Sequence, residues 1–138
     1  GWISDALCSQ SARQGQELWG YREEISESLA PSRPYKWDVS VRVSRVAAWV
    51  REMKDLLAQT DPELEVIWFG HLGDGNLHIN VLKPPGWEAE RFREACSKVS
   101  ERLFELLQKH GGSVSAEHGI GLLKREALRY SRSPYEIE

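Results

Sequence analysis

Two short stretches hold most of the side chains able to do chemistry: Gly70-His71-Leu72-Gly73-Asp74-Gly75-Asn76-Leu77-His78 and Ser115-Ala116-Glu117-His118. Three of the four histidines fall within them. Asp74-Gly75, between apolar strand-like runs, predicts a tight hairpin with these two residues at its centre, so that Gly73 faces Asn76, Leu72 faces Leu77 and His71 faces His78. Directly opposed side chains on one sheet face have Cβ atoms roughly 4.5–5.5 Å apart, near enough for two imidazoles to share one metal ion. Glu117, expected at the end of another strand, adds a hard oxygen ligand. Two histidines, one carboxylate and an open position form a recurrent catalytic zinc set. The competing reading is a pair of surface imidazoles beside a turn, and spacing alone leaves both open.

Other candidates carry less by themselves. Arg22 and Ser26 lie four apart on one predicted helix face and can point at a common ligand, although an exposed arginine is more often solvated or paired, here with Glu23 or Glu27. Lys36 and Asp38 share the polar face of a predicted strand, where the simple expectation is an exposed ion pair of little energetic value. Gly119-Ile120-Gly121 before a helix is a weak phosphate signal without the remaining glycines of a nucleotide fingerprint. Cys96 falls on an apolar helical stripe and reads as core.

The elements that must position these residues follow from the hydrophobic pattern. A helix is expected from about Ser4 to Leu29, ended by Pro31 and Pro34. Residues 36–43 alternate, with Trp37, Val39, Val41 and Val43 on one face, and predict a half-buried strand. Ser44 is placed to cap a helix carrying Val46, Val50, Met53 and Leu57. Glu65 to Leu72 and Asn76 to Leu82 form the hairpin, with Val66, Trp68, Leu72, Leu77, Ile79 and Val81 toward the core and Phe69, His71, Asn76, His78 and Asn80 on the other face. A helix with Phe92, Cys96, Val99, Leu103, Leu106 and Leu107 as its stripe ends at Gly111-Gly112. Ser113 to Glu117 reads as a short strand, followed by a helix from near Gly121 to Tyr130. The expected class is α+β: a ferredoxin-like antiparallel sheet, βαββαβ in order, with two helices on one face and a further helix at each end.

With 138 residues, 41% apolar and 28% charged, the chain suits one globular domain of modest core. A net charge of −3 offers no basic field for nucleic acid. No apolar run is long enough for a transmembrane helix, and no secretory signal is visible. Cys8 and Cys96 fit no zinc spacing and read as reduced thiols of an intracellular protein. The six tryptophans indicate packing only. The chain opens inside an apparent helix and stops without a capping glycine or a closing strand, so it reads as a piece of a longer protein.

Taken together, the two site motifs resemble the C-terminal cap domain of FAD-linked 2-hydroxyacid dehydrogenases of the vanillyl-alcohol-oxidase type. Leu18-Trp19-Gly20-Tyr21-Arg22-Glu23, Tyr35-Lys36-Trp37-Asp38-Val39-Ser40 and Lys124-Arg125-Glu126-Ala127-Leu128 extend the resemblance over nearly the whole chain, most closely to the branch acting on D-2-hydroxyglutarate. The resemblance implies that residues 1–138 are part of that cap and substrate domain, without the flavin-binding domain or the C-terminal tail, and inactive alone. It implies FAD, held mainly by the missing N-terminal domain, and a divalent metal, usually zinc, on His71, His78 and Glu117. Asn80 and His118 are implied beside the substrate, with His118 as proton acceptor. Arg22, Ser26 and Lys36 match positions that bind substrate carboxylates; Ser26 stands where threonine is frequent, and its hydroxyl is retained. Arg22 and Lys36 supply two fixed cations for a diacid, whereas a monoacid has no use for Lys36.

The implied reaction is hydride transfer from C2 of a D-2-hydroxyacid to the flavin, giving the 2-oxo acid. The implied partners are a small 2-hydroxy(di)carboxylate, the protein's own flavin domain and a downstream electron acceptor, with a homodimer left open. The location is cytoplasmic in a bacterium and mitochondrial in a eukaryote. D-lactate, D-malate and glycolate remain alternative substrates. A stand-alone metal- or small-acid-binding module and a purely structural interaction domain remain alternative classes.

Overall fold

The structure is a computed structural model and describes residues 3–122 and 124–137. The chain divides into two compact units, residues 1–33 and 34–138.

In the first unit, helix α1 (Ala12–Glu23) starts where the Ser11 hydroxyl accepts the Gln14 backbone N–H. The expected single helix from Ser4 therefore starts later, and it is also interrupted. Glu24 leaves the helical conformation (φ −93°, ψ 6°), and a five-residue helix α2 (Ile25–Leu29) follows before a 3-10 turn containing Pro31. No residue of α1 is buried. Helical stability in proteins comes mostly from burying an apolar stripe, so nothing draws residues 3–10 into the helix, and a capping serine sets its start.

The second unit is built on a three-stranded antiparallel sheet: β1 (Tyr35–Ser40), β2 (Glu65–His71) and β3 (Asn76–Leu82), in the order β1-β3-β2. Helices α3 (Val46–Thr60) and α4 (Ala89–His110) supply the apolar partners of one sheet face. Trp37 and Val39 of β1 and Leu77, Ile79 and Val81 of β3 form a buried cluster with Trp49, Met53 and Leu57 of α3 and Phe92, Cys96, Val99, Leu103 and Leu107 of α4. Each fully buried large side chain contributes roughly 1.5–3 kcal/mol relative to exposure. Within this core Trp37 Nε1 donates to Ser100 Oγ at 2.8 Å and that hydroxyl donates to the Cys96 carbonyl, whereas the buried Trp49 Nε1 has no hydrogen-bond partner among the described residues. Gly111, with φ +64°, closes α4 and donates to the Gln108 carbonyl.

Several boundaries differ from the sequence pattern. β1 ends at Ser40 instead of Val43, because Asn76 is its last partner on β3; the Val41 N–H turns to the Gly75 carbonyl, and Val43 is exposed. Ser44 caps nothing, since it lies inside a 3-10 turn (Val43–Arg45) that leads into α3. The hairpin loop has four residues, Leu72–Gly75, with a 3-10 turn closed by the Gly75 N–H on the Leu72 carbonyl. Gly75 is required there: its φ is +73°, and a Cβ on it would lie 1.9 Å from the Val41 carbonyl oxygen. Leu72, expected in the core, is 63% exposed on this loop.

The closing strand of the ferredoxin-like order does not form among the described residues. Residues 113–117 run along the free edge of β1 but make a single bridge, Ser40 with Ser113. Beyond it the backbone N–H groups of Ala116, Glu117 and His118 all turn onto one carboxylate oxygen of Asp38, which an extended strand cannot do. The expected helix to Tyr130 is a 3-10 helix (Arg125–Tyr130), with the packed residues Ala127 and Tyr130 three apart as that geometry favours. A four-residue helix α5 (Pro134–Ile137) follows. The architecture is α+β, with the βαββα part of the expected order and one sheet face covered by helices.

Candidate functional site

The sheet face away from the helices carries the polar residues. Its β3 row is Asn76, His78 and Asn80. These pair in register with Ser40, Asp38 and Lys36 of β1 on one side, and with His71, Phe69 and Ile67 of β2 on the other. The expected hairpin register is displaced by two residues, so His71 faces Asn76 and stands diagonal to His78 instead of opposite it. Side chains alternate with a period of two, and an even displacement leaves both imidazoles on the same face. Their ring centroids are 5.5 Å apart, edge to face.

Glu117 reaches these rings from the segment along the β1 edge. Its Oε1 lies 3.4 Å from His71 Nε2 and 3.8 Å from His78 Nε2, and it accepts a hydrogen bond from Asn76 Nδ2 at 3.0 Å. One ligand atom from each of His71, His78 and Glu117 lies within 4.8 Å of the others. That donor set, two imidazole nitrogens and a carboxylate oxygen on partly exposed side chains, fits a divalent metal that keeps a coordination position toward solvent. The His118 ring sits 5.6 Å from that of His78, and Phe69 flanks His78 at 5.2 Å.

Asp38 was expected as the exposed partner of Lys36. It is instead 7% exposed and paired with neither lysine nor arginine among the described residues. Its Oδ2 accepts the backbone N–H groups of Ala116, Glu117 and His118 at 3.0–3.2 Å, while its Oδ1 stands 3.1 Å from His78 Nδ1. Burial pushes the Asp38 carboxyl up, but the His118 and Glu117 N–H groups and the imidazoles of His118 and His78 outweigh it, and the net direction is down. Asp38, His78 and His118 form a second group whose ligand atoms lie within 4.8 Å, sharing His78 with the first.

Asn80 lies two residues along β3 from His78 and is 3% exposed. Lys36, its neighbour in register, is exposed and forms no ion pair among the described residues. Arg22 lies on α1 in the first unit, with Nη1 2.7 Å from Glu23 Oε1 and its guanidinium over the Trp19 ring. Ser26 lies on α2 beyond the break at Glu24, so the two do not share one continuous helix face. Thus His71, His78, Glu117, His118 and Asn80 are grouped on or beside one sheet face. Asp38 is the member that pattern reading missed, whereas Asn76 stands on the face expected for it and gains a hydrogen bond to Glu117. The alternation of β1 put Asp38 on this face, but only the pairing of β1 with β3 sets it against His78.

Comparison with known proteins gives the chain's family. The family model for the C-terminal domain of FAD linked oxidases matches residues 1–138. D-2-hydroxyglutarate dehydrogenase of Stutzerimonas stutzeri is 49% identical over 138 residues, covering the whole chain and 30% of that protein. The protein of the same name from Xanthomonas citri pv. viticola is 51% identical over 137 residues, 99% of the chain and 29% of the relative. The mitochondrial D-2-hydroxyglutarate dehydrogenase of Arabidopsis thaliana is 35% identical over 138 residues, 99% of the chain and 23% of the relative. The chain thus spans less than a third of the length of these relatives. It belongs to the FAD linked oxidases, as a C-terminal domain of that family.

Proposed function

We propose that this domain holds the substrate and a divalent metal in a flavin-dependent dehydrogenase that oxidises a D-2-hydroxyacid, in the first place D-2-hydroxyglutarate, to its 2-oxo acid. The observation that carries the reading is the convergence of His71, His78 and Glu117 beside a buried Asn80, in a chain about half identical to two proteins named D-2-hydroxyglutarate dehydrogenase. When bound, the metal supplies Lewis-acid polarisation of the substrate hydroxyl and the flavin accepts the C2 hydride.

The chain's own residues do the rest. His71, His78 and Glu117 hold the metal. His118 takes the hydroxyl proton, a role suited to an imidazole near neutral pH. Asn80 offers an amide from a dry position, where a hydrogen bond to substrate is strong and orienting. Lys36 binds the distal carboxylate, and by motif resemblance Arg22 and Ser26 of the first unit also serve substrate carboxylates. The flavin domain, a downstream electron acceptor and, where it occurs, a second copy of the chain are the partners. The Arabidopsis relative is named mitochondrial, and we assign a mitochondrial location to a eukaryotic protein of this kind and a cytoplasmic one to a bacterial protein. No helix among the described residues is long and apolar enough to cross a membrane.

The test is anaerobic reduction of the flavin in the complete flavoprotein carrying this domain. D-2-hydroxyglutarate should bleach the flavin, and Lys36→Ala should raise the KM for this diacid at least tenfold while sparing a monoacid such as D-lactate. Equal loss on both substrates would remove Lys36 from the distal site. No bleaching by any 2-hydroxyacid, with metal and acid still bound, would favour a binding module.

A further inference from the structure

We propose that Asp38 is the positioning residue of this centre, its two oxygens joining the sheet half of the site to the loop half. The proposal deepens the metal-centre reading and leans on it only for the affinity measurement below.

The argument begins with what the two halves lack. His78 lies on β3, whereas Glu117 and His118 lie in a segment tied to the sheet edge by one bridge and by the Ala116 N–H, which the Asp38 carbonyl shares with Oδ2. A segment with so little ladder pairing needs another restraint if its side chains are to stay in place. Asp38 Oδ2 supplies it by accepting three successive backbone N–H groups, those of Ala116, Glu117 and His118. Successive N–H groups converging on one anionic oxygen form a nest, and carboxylate acceptors make such bonds roughly twice as strong as neutral ones. This bends the chain out of a strand and presents the Glu117 carboxylate toward His71 and His78.

The other oxygen acts on the ring. Oδ1 is buried and has no hydrogen-bonded partner among the described residues, and His78 Nδ1 stands 3.1 Å away. In the neutral ring only a proton on Nδ1 makes that approach favourable, and that tautomer keeps the Nε2 lone pair on the side facing Glu117. A metal-ligating histidine held through its other nitrogen by a carboxylate is a recurrent device, and loss of such a partner typically costs 10–100-fold in metal affinity. The alternative role, Asp38 as a direct ligand with His78 and His118, would draw on the His78 nitrogen that stands against Asp38, Nδ1. Oδ2 is already committed to three amides, and His78 would then present a different nitrogen from the one facing Glu117.

The test uses the whole chain, with zinc as probe, at pH 8. In the metal-free wild type, two-bond proton–nitrogen spectra should show His78 protonated on Nδ1, and the Glu117 and His118 amides should exchange slowly. Asp38→Asn keeps the volume but offers an NH2 group that cannot accept from both partners. It should lose both signatures and bind zinc 10–100-fold more weakly. Wild-type His78 protonated on Nε2, or wild-type amides exchanging at unprotected rates, overturns the proposal even if the variant does not fold. A folded variant with unchanged tautomer, protection and zinc affinity also overturns it, as does X-ray absorption placing Asp38 oxygen on the zinc. If the wild type binds no zinc, the metal-centre reading fails, and the tautomer and exchange data still decide the role of Asp38.

Discussion

Among the described residues of the second unit, two carboxylate–imidazole clusters stand in contrast. Glu52 of α3 meets the end of α4, with Lys109 Nζ 2.6 Å from one carboxylate oxygen and His110 Nε2 3.1 Å from the other. At the sheet face, Asp38 and Glu117 meet His71, His78 and His118, and among the described residues no lysine or arginine pairs with either carboxylate. The Glu52 cluster carries its own permanent cation, so it is electrically complete and ties two helices. The sheet-face cluster sets its two acids directly against imidazoles, and the Lys124 ammonium acts on Asp38 through space without pairing with it. With no permanent cation in contact among the described residues, it keeps room for an added one, which is the electrostatic difference between a clamp and a site.

The widest separation between the two should appear in metal binding. Zinc measured by mass spectrometry should be near stoichiometric in the wild type and in Lys109→Ala, and close to background in a His71→Ala/His78→Ala double variant. Zinc lost equally from the Lys109 variant would erase the distinction. A crossed pair of substitutions sharpens it. Glu117→Gln should cut zinc affinity by about a hundredfold or more, since a neutral amide replaces an anionic ligand, while leaving the melting temperature of the metal-free chain nearly unchanged. Glu52→Gln should leave zinc affinity alone and lower that melting temperature by a few degrees, as expected for a partly exposed ion pair.

The smallest effect is in pH. Glu52 is held below its ordinary 4.5 chiefly by the Lys109 hydrogen bond, against opposing burial and with help from His110. Asp38 is held below its ordinary 3.8 by backbone N–H groups that outweigh burial. A carboxyl whose folded value is depressed adds stability that is present above its unfolded value and lost as pH falls through the folded one. Metal-free thermal scans should therefore decline below about pH 4.5, and Glu52→Gln and Asp38→Asn should each flatten part of that decline. A decline of unchanged steepness in both variants would assign acid sensitivity to other groups.

Much of the arrangement was legible from local pattern, because local pattern determines which face a side chain takes. The alternation of Val66, Trp68, Leu77, Ile79 and Val81 placed His71, His78 and Asn80 together on the opposite face, and a hairpin displaced by two residues preserves that parity. The displacement itself was not legible: Asp74-Gly75 fits a two-residue turn, yet Val41 packs its carbonyl against Gly75 and a four-residue loop results. The role of Asp38 was hidden for a related reason. Nothing near Asp38 in the sequence says that β1 pairs with β3, so its neighbour seemed to be Lys36 instead of His78. The missing fourth strand has the same origin, since the three amides of 116–118 answer to a carboxylate far away in the chain.

That distance has a consequence for how the molecule is made. The amides gripped by Asp38 lie 78, 79 and 80 residues downstream of it. Closing so large a loop costs chain entropy before any contact rewards it, and contacts of such separation slow folding. During synthesis, β1, the hairpin and α4 all emerge before residue 118, so the donor set is complete only once nearly the whole domain has left the ribosome. A metal bound at the proposed centre would therefore be captured by a chain already folded, as a late fastener of the tertiary structure instead of a seed for it.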